Sequence, residues 1–223
     1  MLISLTRKLL LAFVLLFFLG GTLKAQELVT RKVKPVGQFN GLLRAGLCTS
    51  QIYNDDFGGY NKLGLTGGIG VFTRISQRFQ FQIEMNYAMR GSRKRPNPKV
   101  GDFNTYSIAP HYLDIPLLIK TDINFFEVEF GLLSGFYLYH TERDQRGRIP
   151  QNQEVWQFNK YELALNLGIN VPITEKWIAN ARFHYSILPA SGQLGVVNGY
   201  SLTGGAYNNV ITLSVHRLLI PNR

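Results

Sequence analysis

The chain has 223 residues, a formal net charge of +10, 45% hydrophobic residues and 13% aromatics. With only 17% charged residues and 22 glycines it is neither a disordered chain, which would be poor in aromatics, nor a coiled coil, and its size fits one domain or two small ones. Its one cysteine, Cys48, excludes an internal disulfide framework and a cysteine-based zinc cluster.

Residues 1–25 read MLISLTRKLLLAFVLLFFLGGTLKA. Arg7 and Lys8 form a basic start, residues 9–19 are an apolar run, Gly20 and Gly21 break it, and Ala25 is a small residue at a cleavage point. This is the layout of a secretory signal peptide, with the cut before Gln26. The run is too short for an anchor helix, which needs roughly 20 apolar residues. Cys48 lies too far along to be a lipid-carrying residue at a mature N-terminus. An exported chain has little occasion to meet nucleic acid, so the basic balance points elsewhere. Residues 26–37 make a short periplasmic segment, and 38–223 form the remaining domain.

No stretch after the signal approaches 18 apolar residues, and the hydrophobic period is two. Residues 39–48 alternate loosely, with Asn40 and Arg44 polar; residues 63–74 are Gly-rich, with Leu65, Ile69 and Val71 on the apolar side. Residues 79–90, FQFQIEMNYAMR, place Phe79, Phe81, Ile83, Met85, Tyr87 and Met89 on one face, and Gln80, Gln82, Glu84, Asn86, Ala88 and Arg90 on the other. A helix would need apolar residues at i, i+3, i+4 and i+7. Leu113, Ile115, Leu117 and Ile119 oppose Asp114, Pro116, Leu118 and Lys120, and Phe126, Val128, Phe130 and Leu132 oppose Glu127, Glu129 and Gly131. Residues 161–171 set Leu163, Leu165, Leu167, Ile169 and Val171 against Glu162, Ala164, Asn166, Gly168 and Asn170. Residues 179–187 set Ala179, Ala181, Phe183, Tyr185 and Ile187 against Asn180, Arg182, His184 and Ser186. Ile211, Leu213 and Val215 oppose Thr212, Ser214 and His216. The count is eight strands.

A soluble barrel buries its apolar face, whereas a membrane barrel turns that face to lipid. Three features favour the second. Several strands carry the roughly ten alternating residues that cross a bilayer at a tilt. Tyr106, Tyr112, Phe125, Phe126, Tyr137, Tyr139, Tyr161 and Trp177 lie near strand ends, as interfacial girdles do. Connections alternate between tight turns, at 76–78, 121–124 and 174–176, and long loops, at 51–62, 91–107, 141–160 and 188–208. The fold expected is all-β: an eight-stranded antiparallel up-and-down transmembrane β-barrel, with short periplasmic turns, long extracellular loops and both ends periplasmic. Side chains fill so narrow a barrel. Arg44, Arg74, Glu84, Arg90, Asp114, Lys120, Glu127, Glu129, Glu162, Arg182 and His216 are expected to pair across the lumen and close it, because an unpaired buried charge is costly.

The segments GLLRAGL (41–47), LGLTGGIGVF (63–72), FQIEMNYAMRGSRK (81–94), YLDIPLLIK (112–120), FGLLSGFYL (130–138), LALNLGINV (163–171) and ARFHYS (181–186) come in an order that resembles the Bacteroidetes outer-membrane β-barrel family typified by PorT-like proteins. The resemblance spans nearly the whole mature chain, and YLDIPLL is its most specific piece. It implies an outer-membrane location and eight strands. For function it implies little, although some relatives serve type IX protein secretion. The chain departs from such barrels at its last strand, VITLSVHRLLIPNR, where Leu218 stands near the expected terminal aromatic.

Candidate chemistry is sparse. His184 and Ser186 share a strand face, so the histidine could activate the serine. The pair resembles the His-x-Ser of outer-membrane lipid A deacylases, but Ile187 stands where Asn usually follows, and the expected register turns the pair into the lumen. His111, His140 and His216 lack ligand spacing. Asp55-Asp56 lacks the spaced oxygens of a calcium loop, and TGGIG (66–70) has no following Gly-Lys-Ser/Thr. No metal or cofactor is expected. Arg93, Lys94, Arg95 and Lys99 crowd the second long loop and are expected to meet lipopolysaccharide phosphates or an acidic partner. The leading expectation is a non-enzymatic outer-membrane protein with a plugged lumen. It would act through its loops or rim, among outer-membrane lipid and lipopolysaccharide and with secretion or envelope-assembly proteins. A lipid A-modifying enzyme and a soluble periplasmic carrier barrel are the alternatives.

Overall fold

A computed structural model describes residues 36–55, 57–192 and 205–219. The expected signal peptide and most of the segment 26–37 lie outside these residues. Ten strands follow in chain order: β1 (Phe39–Tyr53), β2 (Lys62–Arg74), β3 (Phe79–Met89), β4 (Ser92–Lys94), β5 (Tyr106–Ile123), β6 (Phe126–Asp144), β7 (Gly147–Arg148), β8 (Tyr161–Pro172), β9 (Trp177–Ser186) and β10 (Tyr207–Leu219). Eight of them close a ring. β1 pairs with β2, β2 with β3, β3 with β5, β5 with β6, β6 with β8, β8 with β9, β9 with β10, and β10 returns to β1, all antiparallel. Closure leaves no unpaired edge, which an oily environment requires.

The alternation in sequence becomes an inside-out barrel. On β3 every odd residue from Phe79 to Tyr87 is exposed, and every even one from Gln80 to Ala88 is buried. Val71, Ile83, Leu117, Leu132 and Leu165 lie side by side in one outward row across five strands. Among the described residues no helix is long and apolar enough to cross a membrane; the crossing is made by strands.

The tight turns sit where the sequence puts them, and their chemistry is local. Ser76 Oγ accepts from the backbone N–H of Arg78 and Phe79 at 3.3 and 3.0 Å, and Thr174 Oγ1 accepts from those of Lys176 and Trp177 at 3.3 and 3.1 Å. The turn expected over 121–124 is tighter. β5 runs to Ile123, and Asn124, at φ 51°, reverses the chain in a conformation that asparagine tolerates.

The opposite end differs more from expectation. β5 and β6 are 18 and 19 residues long and rise well past their neighbours. β3 breaks at Gly91, whose φ of +132° and 2.1 Å approach of a would-be Cβ to Ile108 O bar other residues, and resumes as β4 against β5. β7 folds back on β6. Much of the two loops expected at 91–107 and 141–160 is therefore a four-stranded tongue, β4-β5-β6-β7. A register shift between His111 and Tyr112 marks its base.

Candidate functional site

Three of the eight aromatics expected in the interfacial girdles point inward instead. Tyr112 is fully buried, because it shares the parity of Asp114, and Tyr106 and Tyr137 bond to Glu142 and His140 on the inner face. Phe125, Tyr139, Tyr161 and Trp177 are exposed outward, and Phe126 is half-buried.

Arg44, Arg74, Glu84, Arg90, Asp114, Lys120, Glu127, Glu129, Glu162, Arg182 and His216 are all buried. Near the short-turn end Arg74 meets Asp122 at 2.9 Å and Glu127 at 3.8 Å. At mid-height Glu84 is the hub. It accepts from Arg44 at 3.0 Å, from both terminal nitrogens of Arg182 at 3.0 and 2.9 Å, from Asn86 at 2.7 Å, and from Gln82. Such a two-pronged guanidinium–carboxylate pair is among the strongest polar contacts. Glu129 accepts from Arg182 Nε at 2.6 Å, from Asn170 and Asn180 at 2.9 Å each, and lies 3.4 Å from Lys120 Nζ. Ser214 links Arg44 and Asn180 at 3.1 Å each and lies 3.3 Å from His216 Nε2. Gly68 admits this packing, since a Cβ there would fall 2.1 Å from Met85 O and 2.5 Å from Asn86 Oδ1.

One layer up, Arg90 donates to Asp114 at 2.6 Å, lies 3.6 Å from Glu162, and stacks its guanidinium 4.0 Å from the centre of the Tyr112 ring. His184 Nε2 stands 2.9 Å from Arg90 Nη1 and 3.1 Å from Glu162 Oε1. Ser186 donates to Glu162 and receives the Asn208 backbone N–H at 3.0 Å. The serine and histidine thus meet through a carboxylate rather than face to face, and Ser186 has no exposed surface. A nucleophile needs its base within hydrogen-bond reach and a path to substrate; here Glu162 stands between the two. Across the two layers Arg44, Arg90, Lys120 and Arg182 face Glu84, Glu129, Asp114 and Glu162, four charges of each sign. A cavity lined by Arg44, Arg90, Asp114, Arg182 and His184 measures about 20 Å³, room for about one water.

Above these layers the tongue's inner face holds the segment that follows β7. Glu142, fully buried, accepts from the backbone N–H of Val155 at 3.1 Å and of Trp156 at 2.8 Å, and from the Tyr106 hydroxyl. Burial, and then the bond to Glu142, holds the Tyr106 phenol well above its ordinary pKa. Phe158 stacks on Tyr137 at 5.7 Å and meets His140 edge-on at 5.1 Å. We expect Glu142→Ala to release this segment and raise the rate of protease cleavage within 149–158 several-fold while the barrel stays folded. An unchanged digestion pattern would show that the carboxylate does not hold it.

The basic loop divides. Arg93, Arg95 and Lys99 are exposed, while Lys94 pairs with Asp102 at 2.9 Å; that bond holds the Asp102 carboxyl below its ordinary pKa. Asp55 Oδ1 accepts from the Phe57 backbone N–H at 2.9 Å, and Asp56 lies outside the described residues. Among the described residues no group of three or more metal-ligating side chains converges. Sequence reasoning passed over Gln82, Asn86, Tyr112, Asp122, Glu142 and Asn208. Strand parity was the signal available for Gln82 and Asn86.

No protein with curated annotation matches the chain. Among solved structures, Ail, the attachment invasion locus protein of Yersinia pestis, is 10% identical over 81% of this chain and 99% of its own, with a TM-score of 0.47. Neisserial surface protein A is 12% identical over 80% and 96%, with a TM-score of 0.44. OprG of Pseudomonas aeruginosa is 10% identical over 85% and 100%, with a TM-score of 0.41. A family model described as outer membrane protein β-barrel domain matches residues 33–191. That match takes in most of the chain and agrees with a closed ring whose oily side faces out. The chain is a member of the outer membrane protein β-barrel domain family, a small β-barrel of the Gram-negative outer membrane.

Proposed function

We propose that this protein is a non-enzymatic barrel with a plugged lumen, which anchors and presents its extracellular tongue and loops. The observation that carries this reading is the balanced set of four cations and four carboxylates, locked by side-chain amides and leaving beside it a cavity of about 20 Å³. A conducting pore needs a continuous wet path, and a lipid-cleaving pair must face lipid. The signal peptide before Gln26 would export the chain. The resemblance to PorT-like proteins supplies the partner class, secretion or envelope-assembly proteins that meet the rim or loops.

The purified protein in planar lipid bilayers should give no conductance above the protein-free membrane. Lipid A from cells carrying His184→Ala or Ser186→Ala should match wild type by mass spectrometry. Steady conductance steps would remove the plug, and altered lipid A would restore the enzyme. Mild crosslinking in native envelopes followed by copurification should recover a discrete envelope protein, and its absence would leave an anchor without a complex.

A further inference from the structure

The tongue has a second face, and register decides what stands on it. Arg93 on β4 lies opposite Ser107 on β5, Ser107 opposite Arg143 on β6, and Arg143 opposite Arg148 on β7. Directly opposed residues of antiparallel strands project from the same face. Ser92 and Glu142, one position away, are buried inward, so the row Arg93–Ser107–Arg143–Arg148 points outward, and its three arginines are exposed. With strands about 4.8 Å apart, the row spans roughly 15 Å.

Like charges directly opposed destabilise a strand pair, and Arg143 and Arg148 are so opposed. Among the described residues no carboxylate pairs with any of the three. Lys62, where β2 begins, adds to the same positive field, with Arg143 and Arg93 among its charged neighbours. Below the row, on the same outward face, lies an aromatic step. His111 stacks on Tyr139 at 4.2 Å, and the Tyr87 hydroxyl sits 2.5 Å from His111 Nδ1. Ser107 is four residues beyond His111 on β5, about 13 Å along the strand at ~3.4 Å per residue. Aromatic steps of this kind mark the membrane–water boundary, which would set the arginines just beyond it, on the outer side of the barrel, within reach of lipid headgroups.

We infer that Arg93, Ser107, Arg143 and Arg148 form a binding site for the phosphate groups of an outer-leaflet lipid of the lipid A type. Guanidiniums supply only donors and the serine hydroxyl can turn its proton the same way, the complement of a phosphate's acceptor oxygens. The lipid's acyl chains would lie against the outward stripe beneath. The site differs from the basic loop read in sequence: Arg148 and Arg143 enter it from another loop, and Lys94 leaves it for Asp102. It rests on the long loops being extracellular.

The test uses the full protein in detergent, titrated with bisphosphorylated lipid A and with the same lipid after its phosphates are removed. The triple variant Arg93→Gln/Arg143→Gln/Arg148→Gln should bind the phosphorylated lipid roughly tenfold or more weakly, the loss expected from a few charge-assisted hydrogen bonds. Arg78→Gln/Lys160→Gln/Lys176→Gln removes the same net charge elsewhere and should bind as wild type. Heat-modifiable gel mobility establishes that each variant is folded. Unchanged affinity in the first variant, or equal binding of the phosphate-free lipid, would overturn the site. Displacement of the lipid by millimolar inorganic phosphate would overturn the lipid assignment in favour of a free anion. Orientation is read separately: a cysteine at Gln145 should react with a membrane-impermeant maleimide on intact cells, where the one native cysteine, Cys48, is buried. Failure to label would count against the extracellular reading rather than the row.

Discussion

Glu84→Ala should destabilise the barrel by about 3–5 kcal/mol or prevent its folding, the usual consequence of leaving buried charges without their partner. Glu84 is 2% exposed and is the shared acceptor of Arg44 and Arg182, so its removal takes the carboxylate from Arg44 and leaves Arg182 with Glu129 alone. Asn86 and Gln82 lose their acceptor as well. The neighbouring cavity, about 20 Å³, has room for about one water to solvate what remains. Urea titration in lipid vesicles, read by tryptophan fluorescence and gel mobility, measures the loss. Glu84→Gln, which keeps the shape and one acceptor, should lose less. A Glu84→Ala barrel within about 1 kcal/mol of wild type, far short of the usual penalty, would mean that the arginines find other partners and that the hub is not structural.

Ile83→Arg makes the complementary test from outside. Ile83 is 41% exposed, and it belongs to the outward row that runs from Val71 to Leu165. In a water-soluble barrel an arginine there would be nearly neutral. In a bilayer, a charge on the lipid face near the midplane costs about 2–4 kcal/mol, falling towards zero at the interfaces. Ser76→Arg, in a tight turn at the end of the barrel, should therefore cost little. Equal stability of Ile83→Arg and wild type in vesicles would show that the stripe does not face acyl chains.

These two substitutions sit on neighbouring residues of one strand, which explains why so much was legible from sequence. Residues 79–90 already separate Ile83 from Glu84 by period alone, and the same arithmetic sorts Leu165 from Glu162 and Phe183 from Arg182. Ser76 and Thr174 announce their turns through hydroxyls that bond only two or three residues away. Tyr112 lies inside although an aromatic near a strand end has the look of a girdle residue. Its parity with Asp114, and the Arg90 guanidinium above its ring, hold it inside. The tongue was hidden for a different reason. Arg143 and Arg148 sit in a stretch that reads as loop, and β7, at two residues, is too short to show a period.

From sequence alone came the strand faces, the periodicity, the tight turns and the inside-out polarity, because the pleat of a strand is a property of successive residues. Only the closed ring decided which charges meet. Arg44 reaches Ser214 across 170 residues and Arg182 reaches Glu84 across 98. Such contacts depend on the stagger of eight strands around a narrow lumen, and no short stretch of chain encodes that stagger. The arginine row of the tongue follows the same logic, since hydrogen-bond register between four separate strands places its members side by side.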